Sequence, residues 1–239
     1  MKRLLNKVAI VTGSSSGIGK AIALQFGQEG AKVVVAARRK PLCEQTAAQI
    51  CRNAGDAFVV QTDVSQEQQV DQLFERTIQQ YGRIDIVVNN AGIFGGSRLA
   101  ETTIEAFDAV MNVNLRGTFL CCRAAFKQMK KQGGGLIINM SSVAGLQAWA
   151  GTGTYSASKH GVMALTRSLA DEGRPFNIRV SAICPGGVAD ELVDASQEDI
   201  LRSEKISPFD IAETAVYLAT LGKYAVVHQI VVDRWGADW

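Results

Sequence analysis

The chain has 239 residues, 47% of them hydrophobic and 20% charged, with a formal net charge of +2. That length suits one α/β domain with a substantial core, and the apolar fraction excludes a disordered chain. So small a charge gives no electrostatic case for nucleic acid or an anionic membrane surface, no apolar run is long enough to span a bilayer, and the first residues lack the layout of a secretory signal, so a cytoplasmic protein is expected.

Taken in chain order, the pattern alternates strand and helix. Lys7–Thr12 reads as a buried strand, and helical spacing starts at Gly17. Lys32–Ala37, with Val33, Val34 and Val35 in a row, reads as a strand covered on both faces. A helix follows from about Pro41, where proline is tolerated in the first turn. Phe58–Gln61 is a third strand, and Ser65-Gln66-Glu67-Gln68 reads as a capping box for the next helix. Ile84–Asn89 is a fourth strand. Thr102-Thr103-Ile104-Glu105 reads as a second capping box, opening one long helix to Lys131 that Gly133-Gly134-Gly135 ends. Leu136–Met140, Ile178–Ile183 and Val226–Val232 are further strands, with helices over Tyr155–Asp171 and Ile211–Leu221. The expected fold is a single α/β domain over 1–239, a Rossmann-like, doubly wound parallel sheet of about seven strands with helices on both faces. The stretch 186–208 has the weakest periodicity and is read as a substrate lid.

The turn Thr12-Gly13-Ser14-Ser15-Ser16-Gly17-Ile18-Gly19 lies between the first strand and the first helix. Glycines let backbone approach a phosphate with no Cβ in the way, and a helix N-terminus there favours an anion. An ordinary glycine-rich turn is the bland alternative; the strand–turn–helix context favours a dinucleotide cradle, with Gly13, Ser15, Ser16, Gly17, Ile18 and Gly19 as cofactor contacts. The second strand ends Ala36-Ala37-Arg38-Arg39-Lys40, without the acid that would accept from a ribose 2′-hydroxyl. Arg38, with Arg39, is placed for a 2′-phosphate, so NADP(H) is expected in preference to NAD(H). Asp63, beside Val64, is a candidate for the adenine amino group, and Asn90, Ala91 and Gly92 are placed to wall the cofactor site.

Tyr155 and Lys159 stand one helical turn apart, and Ser142 lies thirteen residues before the tyrosine. A free phenol titrates near about 10, and a neighbouring ammonium is expected to lower that value. Ser142 would hydrogen-bond a substrate oxygen beside the phenol. Tyr155-x-x-x-Lys159 alone is better explained as a surface helical pair; Ser142 and the phosphate turn together reverse that preference. His160 points off the catalytic face. With two histidines and five cysteines that match no metal-ligand spacing, no metal site is expected and the thiols are expected free and buried.

The ordered set Thr12–Gly19, Asp63-Val64, Asn89–Gly92, Asn114, Ser142, Tyr155-x-x-x-Lys159 and Pro185-Gly186 resembles the short-chain dehydrogenase/reductase family over nearly the whole chain. The resemblance implies a nicotinamide coenzyme contacted also by Tyr155, Lys159, Pro185, Gly186 and Val188. It places Asn114, Ser142, Tyr155 and Lys159 at the catalytic positions, with Asn114 holding a water that relays protons to Lys159. It also favours Ser142 over its neighbour Ser141. It implies a homotetramer or homodimer built on helices 103–131 and 155–171. Many relatives carry a threonine four residues after this glycine that helps hold the nicotinamide amide; here Asp190 stands there, and a carboxylate accepts but does not donate.

The reaction so implied interconverts a carbonyl and a secondary alcohol of a small molecule by hydride transfer, with Tyr155 as general acid and base. The alternatives are an NAD-dependent dehydrogenase or epimerase-like relative, and a nucleotide-sensing protein without turnover. Phe94, Trp149 and Leu192 are substrate-pocket candidates that core packing explains about as well. Asp190, Glu191 and Asp194 make the lid entrance acidic.

Overall fold

The computed structural model describes residues 2–196, 198–199 and 203–236. Its centre is a sheet of seven parallel strands in the order β3-β2-β1-β4-β5-β6-β7. The strands are β1 (Val8–Thr12), β2 (Lys32–Ala37), β3 (Asp56–Gln61), β4 (Ile86–Asn89), β5 (Gly135–Met140), β6 (Ile178–Pro185) and β7 (Gln229–Val232). The helices are α1 (Gly17–Gln28), α2 (Lys40–Arg52), α3 (Glu67–Tyr81), α4 (Ile104–Met111), α5 (Thr118–Gln132), α6 (Gly153–Gly173) and α7 (Pro208–Thr220). Helices lie on both faces, the Rossmann-like arrangement the alternation implies.

The consecutive valines explain why both faces are covered. Val33 and Val35 join Ile22 and Phe26 of α1 and Ile211 of α7 in one core. Val34, between them in sequence, joins Leu73 of α3, Leu120 of α5 and Leu169 of α6 in the other. Alternate side chains of a strand point to opposite faces, so a run without polar interruption fits only a doubly covered sheet. Each such side chain contributes roughly 1.5–3 kcal/mol on burial.

The direction of strand order reverses between β1 and β4, and the loops that leave their carboxyl ends flank a crevice there. Thr12 and Asn90 knit its floor. Thr12 Oγ1 accepts from the Asn90 and Ala91 amides at 3.0 and 3.1 Å, and Asn90 Nδ2 donates to Thr12 O at 3.0 Å.

Three local expectations fail. Ser65 does not cap α3: the N-cap is Gln66, and the Ser65 hydroxyl donates to Asp63 Oδ1 at 2.7 Å instead. A serine two residues after an aspartate closes that tighter local bond first. The cap of α4 is Thr103, one residue later than the expected box, accepting from the Ala106 amide at 3.2 Å. The helix expected over 103–131 is two helices joined by a π-helical turn, Asn112–Gly117. Asn114 sits in that turn with its side chain tied outside the helix, which a regular helix would not present in the same way. The sequence pattern also misses the capping box of Ser207 and Asp210 that starts α7.

Candidate active site

The crevice at the carboxyl ends of the strands is a cavity of about 530 Å³. All the expected contacts of the glycine turn line it: Gly13, Ser15, Ser16, Gly17, Ile18 and Gly19. So do Arg38 and Arg39 from the end of β2, Asp63 and Val64 after β3, and Asn90, Ala91 and Gly92 after β4. Ser142, Tyr155 and Lys159 meet Pro185, Gly186 and Val188 at its other end. Residues far apart in sequence converge because each follows the end of a neighbouring strand.

The turn has the shape that a phosphate cradle needs. Gly13 and Gly17 hold φ at +68° and +55°, a conformation that costs a residue with a Cβ. A Cβ on Gly13 would lie 2.9 Å from Ala91 Cα, so β1 and β4 approach only because Gly13 has none. At the tip of α1, the Ile18 amide donates to Asp190 Oδ1 at 2.9 Å. An anion thus already stands at this helix end, and the donor set suits the phosphates of a dinucleotide. Arg39 Nη2 reaches over the turn to Ser15 Oγ at 3.0 Å and Ser16 Oγ at 2.6 Å.

At the opposite end, the Lys159 ammonium is buried and donates to the Met140 carbonyl at 2.9 Å. Burial brings its pKa down to about 8. Its Nζ lies 5.7 Å from the centre of the Tyr155 ring. Burial pushes the Tyr155 phenol above its ordinary value; a hydrogen bond from Ser142 works the other way, and the Asp190 charge adds to the rise. This corrects the expectation that Lys159 lowers the tyrosine pKa. The ammonium is itself desolvated and turned to the Met140 carbonyl, so desolvation of the phenol prevails.

Ser142 Oγ accepts from the Ala144 amide at 3.1 Å and lies 3.3 Å from the Pro185 carbonyl, joining the loop after β5 to the end of β6. Ser141 turns away, donating to the Lys159 carbonyl at 3.2 Å. Asn114 lies behind the site rather than in the cavity wall. Its Oδ1 accepts from the Ile93 amide at 2.8 Å, and its Nδ2 donates to Ile93 O at 2.9 Å and Ser158 Oγ at 3.1 Å. These bonds tie the side chain to the loop after β4 and to α6. A Cβ on Gly92 would lie 3.4 Å from Asn114 Oδ1 and 3.5 Å from Lys159 Nζ, ordinary contact distances, so this glycine packs closely against both without being sterically required.

Phe94 lines the cavity, its ring centre 5.1 Å from that of Tyr155. Trp149 does not: it sits exposed in the turn before α6, its backbone bonded to Thr152. The Leu192 side chain, like residues 197 and 200–202 of the expected lid, lies outside the described residues. His160 is on the far side of α6, its Nδ1 2.9 Å from the Ser156 carbonyl oxygen. Four cysteines are buried, but Cys51 is exposed, on the solvent side of α2. Sequence reasoning missed Ile93 and Val113 in the cavity wall, whereas Glu191 of the expected acidic lid entrance lines it. No motif marks Ile93 or Val113, because they are set by which loops the sheet brings together.

The family model of short chain dehydrogenases matches residues 7–201. The chain is 40% identical over 226 residues to a 3-oxoacyl-[acyl-carrier-protein] reductase of Synechocystis sp., covering 92% of each chain. It is 37% identical to an uncharacterized oxidoreductase of Bacillus subtilis, covering 95% of this chain and 96% of that one. Among solved structures, a metagenomic short-chain oxidoreductase in complex with NADP superposes with a TM-score of 0.86 at 33% identity, covering 97% and 98% of the two chains. A short-chain type dehydrogenase/reductase from Mycobacterium marinum gives a TM-score of 0.88 at 33% identity, covering 96% and 95%.

The chain therefore belongs to the short-chain dehydrogenase/reductase family. It is an NAD(P)-dependent oxidoreductase with a fold that binds a nicotinamide coenzyme.

Proposed function

We propose that this protein is an NADP(H)-dependent oxidoreductase that interconverts a small-molecule carbonyl and a secondary alcohol, with Tyr155 as the group that moves the proton. The observation that carries the reading is the convergence of Ser142, Tyr155 and Lys159 at one end of the cavity whose other end is the glycine cradle. The bound coenzyme supplies the hydride. The chain's own residues bind it along the cradle, with Asp63 and Val64 toward the adenine and Pro185, Gly186 and Val188 toward the nicotinamide. Arg38 supports the preference for a 2′-phosphate, since it lines the cavity at the end of β2.

Ser142 holds the substrate oxygen against the phenol. A phenol with a raised pKa is protonated at neutrality, so Tyr155 is ready to donate in the reductive direction. Lys159, titrating at about 8, exchanges protons near neutrality and can recharge the phenol. Asn114 positions Ile93 and so the wall that faces both. In oxidation Tyr155 accepts the proton, which higher pH favours.

Residues 1–239 form one catalytic domain in this reading, and 186–208 close over the substrate, with Phe94 as a wall. The Synechocystis relative's substrate suggests 3-oxoacyl thioesters for the first panel. The apolar groove of Met111, Leu115, Phe119 and Leu165 on the α4–α5 and α6 surface supports a homodimer or homotetramer. A cytoplasmic setting fits the free cysteines.

The test is coenzyme oxidation with ketones, aldehydes, sugars and 3-oxoacyl thioesters, using NADPH and NADH. Carbonyl-dependent loss of NADPH absorbance is expected. In the Arg38→Asp variant the ratio of kcat/KM for NADPH over NADH falls by roughly tenfold or more, the scale of one lost charge-assisted phosphate contact. An unmoved ratio removes Arg38 from the site.

A further inference from the structure

The acidic start of the lid is bonded to α1 at two points. Asp190 Oδ1 accepts the Ile18 amide at 2.9 Å, and the carboxylate lies so close over Gly17 that a Cβ there would be 2.7 Å from Oδ1. Four residues on, Asp194 takes both its oxygens to Lys20 Nζ, at 2.5 and 2.7 Å, and that lysine side chain is only 8% exposed. Between these bonds Val193 is buried, as is Ala189 just before them. On the other side, a parallel bridge pairs Val188 with Ile206, and Glu191 meets Lys205 at 2.7 Å. The segment 188–194 is thus seated rather than draped.

Ile18 is one of the four amides that the first turn of α1 leaves without helical partners. A dinucleotide's pyrophosphate uses such amides, and one N–H does not serve two anions at full strength. Two anions at one helix end also repel. Burial outweighs the Ile18 bond at Asp190 and holds its carboxyl above the ordinary range, so the negative charge there is only partly compensated.

We propose that Asp190, steadied by the Asp194–Lys20 pair, is an internal competitor for the phosphate cradle, and that it sets the coenzyme affinity by having to leave before the pyrophosphate docks. The proposal rests on the reading of the crevice as a coenzyme site. Asp190 then sets affinity rather than choice of coenzyme, weakening every pyrophosphate-bearing ligand in common. The adenosine end, at Arg38 and Asp63, lies outside its reach. Opening the clasp moves the Ile18 amide from carboxylate to phosphate and exchanges one hydrogen bond for another, with no covalent step.

The physical form of the effect is a population factor: apparent affinity is the intrinsic affinity reduced by the fraction of molecules with the cradle free. If about one molecule in ten has it free, removing the clasp tightens binding roughly tenfold.

The experiment measures dissociation constants of NADPH, ADP-ribose and adenosine 2′-monophosphate by fluorescence and calorimetry, for the wild type, Asp190→Ala and Asp194→Asn. Asp194→Asn leaves the cradle itself untouched and loosens only the second bond. Both variants are expected to bind NADPH and ADP-ribose several-fold to tenfold more tightly, with adenosine 2′-monophosphate unchanged. If wild type and variants all bind NADPH with the same affinity, or the variants bind it more weakly, the clasp is not a competitor and the idea is overturned, while the coenzyme reading stands. A variant that tightens all three ligands equally also overturns it, since the adenosine end would then be affected. If no form binds NADPH or NADH, the coenzyme reading fails and takes the clasp with it.

Discussion

Lys159→Met separates what the buried amine does for the site from what it costs the fold. Lys159 is 5% exposed and, among the described residues, its ammonium bonds to the Met140 carbonyl alone, at 2.9 Å, so burial lowers its pKa from an ordinary 10.5 to about 8. At about 1.4 kcal/mol per pH unit, that drop corresponds to roughly 3 kcal/mol of disfavoured charging. Methionine has similar length and no charge, so it removes that penalty; it also leaves the Met140 carbonyl without its donor, a loss of about 1 kcal/mol. The variant is expected to be more stable than the wild type by roughly 2 kcal/mol near neutral pH. Between about pH 8 and 10.5 the unfolded chain holds the Lys159 proton and the folded protein has released it, so wild-type stability from this group rises with pH across that window. Below the window the penalty is complete, and above it the penalty is gone. The advantage of Lys159→Met should therefore shrink through the window and reverse to a small deficit above it, while turnover is lost at every pH. Urea unfolding of both proteins at a series of pH values reads the difference directly, because other titrating groups cancel. A difference that stays constant with pH, or a variant less stable than wild type at neutrality, would refute the account of a buried, unpaired ammonium.

Tyr155→Phe should keep coenzyme affinity and lose at least about a hundredfold in turnover, the scale of a positioned proton donor; stopped-flow single turnover with saturating NADPH checks it, and turnover near wild type sinks the assigned role. Gly19→Ala tests the cradle from the steric side. Alanine ordinarily favours a helix by about 1 kcal/mol over glycine, but a Cβ here would lie 2.5 Å from the Gly13 carbonyl oxygen, so loss of stability and of coenzyme affinity is expected. A raised urea midpoint would show that the turn has room to move.

Much of the site was readable before any coordinates. The glycine turn, Arg38, Asn90 and the Ser142, Tyr155 and Lys159 set all line the one crevice, because strand ends of a doubly wound sheet are brought together by the same alternation that the sequence displays. Trp149 lies outside that lining, because apolar character does not say which loop of the fold a residue will face. The long helix was misread because apolar periodicity does not register a π-turn, which adds one residue per turn at Asn114 without breaking the pattern.

Composition and local spacing determined which elements form, since strand and helix periods and the freedom of glycine are properties of neighbouring residues. They also assigned the chemistry, since proton donors and phosphate cradles need particular residue types. Tertiary structure alone decided the electrostatic state of the site. Whether Lys159 points at a phenol or a carbonyl, and whether Asp190 faces water or the tip of α1, depends on desolvation and on contacts between residues of different elements, as with Lys159 and Met140 or Ile18 and Asp190. Those contacts exist only once the chain has closed, so no local pattern encodes the charges they set.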